Sequence, residues 1–212
     1  MRFMVVLFLL LFVPLVGQAE QLMGYVGFRA DTLLNLPKWQ RVLNELQPQE
    51  NIAKECDNFP ESCYRNKGMK QWRQFIKKSQ NLSKKQKLKE VNKFANKYPY
   101  ITDSNLWGRS DYWATPIEFL ANSGDCEDYS IFKYVTLREL GFSADELRLV
   151  VVRDNVRDLA HAVLSVNLNN KTYVMDSLFD AVLEQKYVPQ YTPYYAVNET
   201  SRWTYIPPLA QR

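Results

Sequence analysis

Three residues of this chain have the types and spacing for nucleophilic catalysis: Cys126, His161 and Asp176. Cys126 lies in "SGDCEDYSIF" (123–132), where a helix is expected to begin. Backbone N–H groups at a helix N-terminus favour a thiolate. The N–H of Cys126 itself is placed to help form an oxyanion hole. The chain has one histidine, so His161 is the base if Cys126 is the nucleophile. A lone histidine is more often structural, but its position says more than its count. "HAVLSV" (161–166) and "KTYVMD" (171–176) read as strands flanking the turn "NLNN". Pairing them around 167–170 sets residues whose numbers sum to about 337 opposite each other, which brings His161 beside Asp176. A carboxylate orienting an imidazole beside a thiol is the logic of a Cys-His-Asp triad.

The same turn carries a conflict. Asp125, Glu127 and Asp128 crowd the thiol, and negative charge opposes a thiolate. The ordinary explanation is that Asp125 caps the helix while Glu127 and Asp128 complement its dipole. One carboxylate about 6 Å from a thiolate, at an effective dielectric of about 20, costs roughly 2.8 kcal/mol. A helix terminus returns only about 0.3–2 kcal/mol. A divalent cation removes the conflict, and calcium prefers the hard oxygens that this cluster supplies. There is no D-x-D-x-D-G loop of the EF-hand kind, and the soft ligands that zinc favours are the triad itself.

The elements that must position these residues fall into two halves. "LPKWQRVLNELQ" (36–47), "GMKQWRQFIKKSQ" (68–80) and "SKKQKLKEVNKFANKYPY" (83–100) place apolar residues at helical spacing. Ser83 is an N-cap candidate, and Pro99 stops the third helix. Residues 101–124 look like a loop-rich connection, whose Trp107, Tyr112 and Trp113 either line a cleft or belong to the core. A helix over 126–140, closed by Gly141, follows. Then come the strands 147–152, 161–166 and 171–176, so the β-rich part runs over about 147–206 and the helical part over about 36–140. Helices first and strands later imply an α+β domain with an antiparallel sheet.

The chain has 212 residues, with 46% apolar and 24% charged, enough for one globular domain with a sizeable core. Its start, "MRFMVVLFLLLFVPLVGQAE", has one Arg, an apolar run and small residues, the pattern of a cleavable secretory signal over 1–19. An uncleaved N-terminal anchor is the other reading. The expected mature domain is 20–212, an exported chain. In an oxidising compartment Cys56 and Cys63 can close the loop "CDNFPESC", which leaves Cys126 as a free thiol or an intermolecular partner. From Arg65 to Lys97 there are twelve Lys or Arg and one acid, Glu90. The simpler reading of that stretch is a solvated helix face. The sharper one is docking to an acidic partner, an acidic substrate or an anionic membrane surface. No motif for nucleic acid accompanies the charge.

"WATPIEFLANSGDCEDYSIFKYVTLRELGF", "HAVLSV" with its histidine 35 residues after the cysteine, and "YVMDS" with its aspartate 15 beyond that, resemble the bacterial transglutaminase-like cysteine proteinases. The resemblance is dense from Trp113 to Asp176. It implies a papain-like, transglutaminase-type α+β fold and calcium-dependent proteolysis, with Cys126, His161 and Asp176 catalytic. It also implies that Asp125, Glu127 and Asp128 hold calcium. In the adhesin-cutting members it implies as substrate a giant repeat-containing surface adhesin, cleaved in its N-terminal region, which releases the adhesin and disperses a biofilm. It further implies an inhibitory partner, a cyclic-di-GMP-sensing inner-membrane receptor of the LapD type. Three other functions stay open on the residues alone: a transglutaminase-type acyl transferase, a non-catalytic calcium- or receptor-binding module, and a basic surface-binding protein using 65–97.

Overall fold

The computed structural model describes residues 20–59, 61, 63 and 67–208, so the expected leader over 1–19 lies outside the described residues. Six helices and eight strands matter for the site. They are β1 (Glu20–Leu22), β2 (Tyr25–Ala30), α1 (Pro37–Asn58), α2 (Lys67–Ser79), α3 (Lys84–Ala95), α4 (Asp103–Trp107), α5 (Pro116–Asn122), α6 (Cys126–Glu139), β3 (Leu147–Asp154), β4 (Leu159–Leu168), β5 (Lys171–Met175), β6 (Leu183–Glu184), β7 (Tyr191–Val197) and β8 (Arg202–Ile206). The strands form one antiparallel sheet in the order β1-β2-β8-β7-β3-β4-β5-β6. The α+β class and its order of helices before sheet match the expectation, with one addition. β1 and β2 come before every helix and join the far end of the sheet through β8. Their hairpin turns on Met23 and Gly24, both at positive φ.

The largest core lies between the helices and one face of the sheet. Leu149, Leu164, Val166 and Met175 point from the strands toward Phe119, Phe132 and Leu137. The other sheet face buries Val150, Val152, Val163, Val174 and Trp203. Alternation along each strand therefore fills both faces, as a strand covered on two sides requires. α6 runs through the helical core and is buried nearly all round, from Asp128 to Leu137 with Val135 only partly covered. Phe119, Phe94 and Tyr98 pack their rings on Phe132, and the indole N–H of Trp72 donates to Thr136 at 2.9 Å. This packing fixes the helix that begins at Cys126.

Three local expectations differ from the structure. α1 runs through Pro48 to Asn58 instead of ending at Gln47. Ala53 and Cys56 in its second half are buried, and the sulfurs of Cys56 and Cys63 are bonded, so tertiary contacts and a covalent tie hold a helix that proline would otherwise break. The connection over 101–124 contains two short helices, α4 and α5. α5 has a reciprocal capping box between Thr115 and Glu118, with Pro116 in its first turn. β4 extends to Leu168, and the turn is only Asn169-Asn170, both at positive φ. The lysines of α2 and α3 are mostly exposed. Among the described residues, no helix is long and apolar enough to cross a membrane.

Candidate active site

The β4–β5 hairpin pairs Leu164 with Met175 and Leu168 with Lys171, two residues out of the expected register. A two-residue slip keeps every side chain on its face. His161 and Asp176 therefore stay on one side of the hairpin as diagonal neighbours. Nε2 of His161 lies 2.9 Å from Oδ1 of Asp176, and both side chains are buried. A carboxylate on Nε2 fixes the proton on that nitrogen and leaves Nδ1 as the basic one.

Asp176 is held from several sides. Oδ1 also accepts from the N–H of Leu178, and Oδ2 accepts from the hydroxyl of Tyr191 at 2.5 Å. Burial opposes its ionisation, yet the bonds from His161, Tyr191 and Leu178 keep its carboxyl below the usual range. From α3, the amide of Asn96 donates to the carbonyls of Asp176 and Phe179, and Asn92 donates to those of Phe179 and Asp180. Tyr191→Phe removes one hydrogen bond to a buried charge. The expected result is a fall in kcat of about tenfold with little change in KM, read by steady-state kinetics.

Cys126 opens α6 and is the free thiol of the described residues. Cys126, His161, Tyr100, Asp111, Trp113 and Tyr195 line one cavity of about 390 Å³. Trp113 is thus a cavity wall, backed by the edge of Trp39, whereas Trp107 packs on Tyr112. The S–H of Cys126 donates to Oε2 of Glu127 at 3.0 Å. Burial, then the charges of Glu127 and Asp125, push the thiol up, against a smaller opposing effect from the N–H of Ala162. The cation-free site therefore holds Cys126 as a thiol.

The carboxylates divide by role. Asp128 caps the turn: its Oδ1 accepts from the N–H of Ala114 at 2.6 Å, and its Oδ2 from that of Asp125 at 3.1 Å. A Cβ on Gly124 would lie 2.1 Å from the same Oδ2, so only glycine lets the chain pass this carboxylate. Asp125 stands at the N-cap position of α6, as expected. Its Oδ2 accepts from the N–H of Asp103 at 3.3 Å, and its Oδ1 is buried without a partner. Asp103 likewise accepts from the N–H of Tyr112 through Oδ2, while its Oδ1 is buried and unpartnered. Burial, reinforced by Glu127, pushes Asp125 up to about 7. Burial pushes Asp128 up to about 9 against its two N–H bonds. Asp103 is raised by burial too.

Asp103, Asp125 and Asp128 each offer an oxygen within 4.8 Å of the others', and so do Asp103, Asp111 and Glu127. Two orphaned carboxylate oxygens in an all-oxygen cluster fit a hard cation such as calcium. The cluster contains Asp125, Glu127 and Asp128 and adds Asp103 and Asp111, which lie 22 and 14 residues before Asp125. No local spacing in the sequence marks Asp103, Tyr191 or the two asparagines. They meet the site only through the fold.

A family model described as bacterial transglutaminase-like cysteine proteinase matches residues 45–209. Among solved structures, the chain is similar to Legionella pneumophila LapG, with 31% identity, a TM-score of 0.62, and coverage of 73% of this chain and 86% of that one. A calcium-bound form of LapG gives 31% identity, a TM-score of 0.64 and coverage of 72% and 87%. An EGTA-treated form gives 32%, 0.62, 73% and 84%. No curated protein matches the chain significantly.

Proposed function

The chain belongs to the bacterial transglutaminase-like cysteine proteinase family, and we propose that it is a calcium-dependent endopeptidase of the periplasm. Its proposed substrate is the N-terminal region of a large repeat-containing surface adhesin, whose release promotes biofilm dispersal. The observation that carries the catalytic part is the buried His161–Asp176 pair facing the cavity that holds a free thiol at a helix start.

In this mechanism Nδ1 of His161 takes the thiol proton as Sγ of Cys126 attacks the scissile carbonyl. The resulting oxyanion is stabilised by the N–H of Cys126 at the start of α6. His161 returns the proton to the leaving amine as the C–N bond breaks, leaving an acyl thioester on Cys126. His161 then deprotonates a water that attacks the thioester, and the departing sulfur recovers its proton. Asp176 holds Nε2–H throughout and stabilises the imidazolium. Asp103, Asp125 and Glu127, with Asp111 and Asp128 beside them, would hold calcium. Bound there, calcium supplies positive charge that offsets these carboxylates. That the similar LapG has a calcium-bound form supports calcium as the ion. The proposed inhibitory partner is a cyclic-di-GMP-sensing receptor of the LapD type.

The test is incubation of the mature chain with an N-terminal adhesin fragment, in calcium, in chelator and with Cys126→Ala. Two shorter products in calcium alone support the reading. A cross-linked product would instead indicate acyl transfer to an amine, and cleavage unchanged in chelator would remove calcium from the account.

A further inference from the structure

A groove of about 440 Å³ lies between α2 and α3. Phe75, Leu82 and Phe94 supply its apolar surface, all three half-buried. The rings of Phe75 and Phe94 stack with their centroids 4.4 Å apart, and Phe94 stacks in turn on Phe132 of the core, so this floor is fixed. Lys78, Lys93 and Lys97 are exposed at its rim, and Glu90 is the one acid that lines it. Among the described residues, none of these three lysines has a carboxylate partner. By contrast, Lys38, Lys54, Lys84, Lys171 and Lys186 each pair with one. The groove shares no lining residue with the cavity of Cys126.

We propose that this groove docks an acidic segment of a partner protein. One aromatic or aliphatic side chain of the segment sits on the Phe75–Phe94 floor, and its carboxylates meet Lys78, Lys93 and Lys97. Charge complementarity sets the sign of the partner, since three cations against one carboxylate favour an acidic chain. The unpaired lysines lose no existing ion pair when a partner arrives. The half-buried rings add what charge alone lacks, an apolar anchor point in a concave wall. The same shape argues against a lipid surface. A membrane takes up apolar side chains that protrude, and among the described residues none of the large exposed hydrophobics belongs to α2 or α3. A recess between two helices instead accepts a peptide segment. The inference is independent of the protease reading, because no residue of the groove belongs to the proposed triad or to the carboxylate cluster.

The test uses the mature Cys126→Ala chain, which spares the probe from cleavage. The probe is a fluorescein-labelled synthetic peptide of glutamates spaced by glycines around one central tryptophan, and binding is read by fluorescence anisotropy. Saturable binding is expected, at least about tenfold weaker when glycine replaces the tryptophan. Reversing the rim with Lys78→Glu, Lys93→Glu and Lys97→Glu together should also weaken binding at least about tenfold. The control is the triple variant Lys77→Glu, Lys85→Glu and Lys89→Glu. It makes the same change in net charge on the same two helices, at exposed positions outside the groove. It should weaken binding by less than about threefold, because solvent and salt screen charges that make no contact. Equal losses in the two triple variants overturn the inference, since the peptide then answers to net charge and not to the groove. Absence of saturable binding, or binding indifferent to the tryptophan, overturns it too. So does binding to phosphatidylglycerol vesicles that the rim reversal abolishes and the peptide does not displace. If the rim reversal does not fold, the two corresponding sets of lysine-to-glutamine variants are compared in the same way, and equal losses again overturn the inference.

Discussion

Cys126→Ala should reduce cleavage of an adhesin fragment by at least about 10⁴-fold in kcat while substrate binding persists. The size follows from what is lost. Without a nucleophile no thioester forms, and only positioning and the oxyanion donors remain. The fold has little reason to change, because Sγ bonds to Glu127 at the edge of the cavity and is not part of the core. Cys126→Ser is the closer control: it keeps a donor to Glu127 but replaces the sulfur with a far weaker nucleophile at this pH. Kinetics and a melting curve on both variants separate lost chemistry from lost structure. Cleavage retained in either variant would mean that another group attacks.

The second large effect concerns the carboxylates. Asp125 and Asp128 bind protons more tightly in the fold than in the unfolded chain, up to about 7 and about 9 respectively, because burial penalises their charge. Between their ordinary value near 3.8 and those raised values, the native state holds protons that the unfolded chain has released. Stability of the metal-free protein therefore falls as pH rises through that window. Asp176 and Lys133 have the opposite sign: the window of Asp176 lies below the ordinary carboxylate range, and Lys133, which burial lowers to about 7, opposes the fall only above that value. Between pH 5 and pH 8 the metal-free protein should lose about 5 °C or more in melting temperature, given about 2–4 °C per kcal/mol in a domain this size. Calcium should restore that loss at pH 8 and do little at pH 5, where protons already neutralise the cluster. Asp103→Asn should weaken the response to calcium and make the metal-free protein more stable at pH 8. A metal-free protein that gains stability from pH 5 to pH 8 would contradict this assignment.

Much of this was legible in the sequence, for reasons that particular residues show. The strand alternation over 147–176 placed His161 and Asp176 on one hairpin, and a register two residues off still left them on one face. The acids around Cys126 were adjacent in sequence, so their conflict with a thiolate could be stated before any fold was known. What was not legible depended on long-range contacts. Asp103 reaches Asp125 from another helix, Tyr191 reaches Asp176 from another strand, and Lys133 looks on paper like an ordinary surface lysine of a helix. It is buried because α6 is covered on nearly all sides. β1 and β2 were missed because a short Gly-containing segment carries little strand signal until β8 pairs with it. α5 was a different kind of miss. Thr115, Pro116 and Glu118 form a capping box that was readable in the sequence.

The central claim is that one turn carries two coupled sites, with calcium on the carboxylates controlling the thiol of Cys126. Its most direct measurement needs no substrate. With Cys56 and Cys63 bonded to each other, Cys126 is the thiol left to react with iodoacetamide. Its alkylation rate at pH 7.5, followed by intact mass, should be about ten- to a hundredfold faster in calcium than in chelator, because neutralising the carboxylates favours the thiolate. Equal rates in the two conditions would contradict the account.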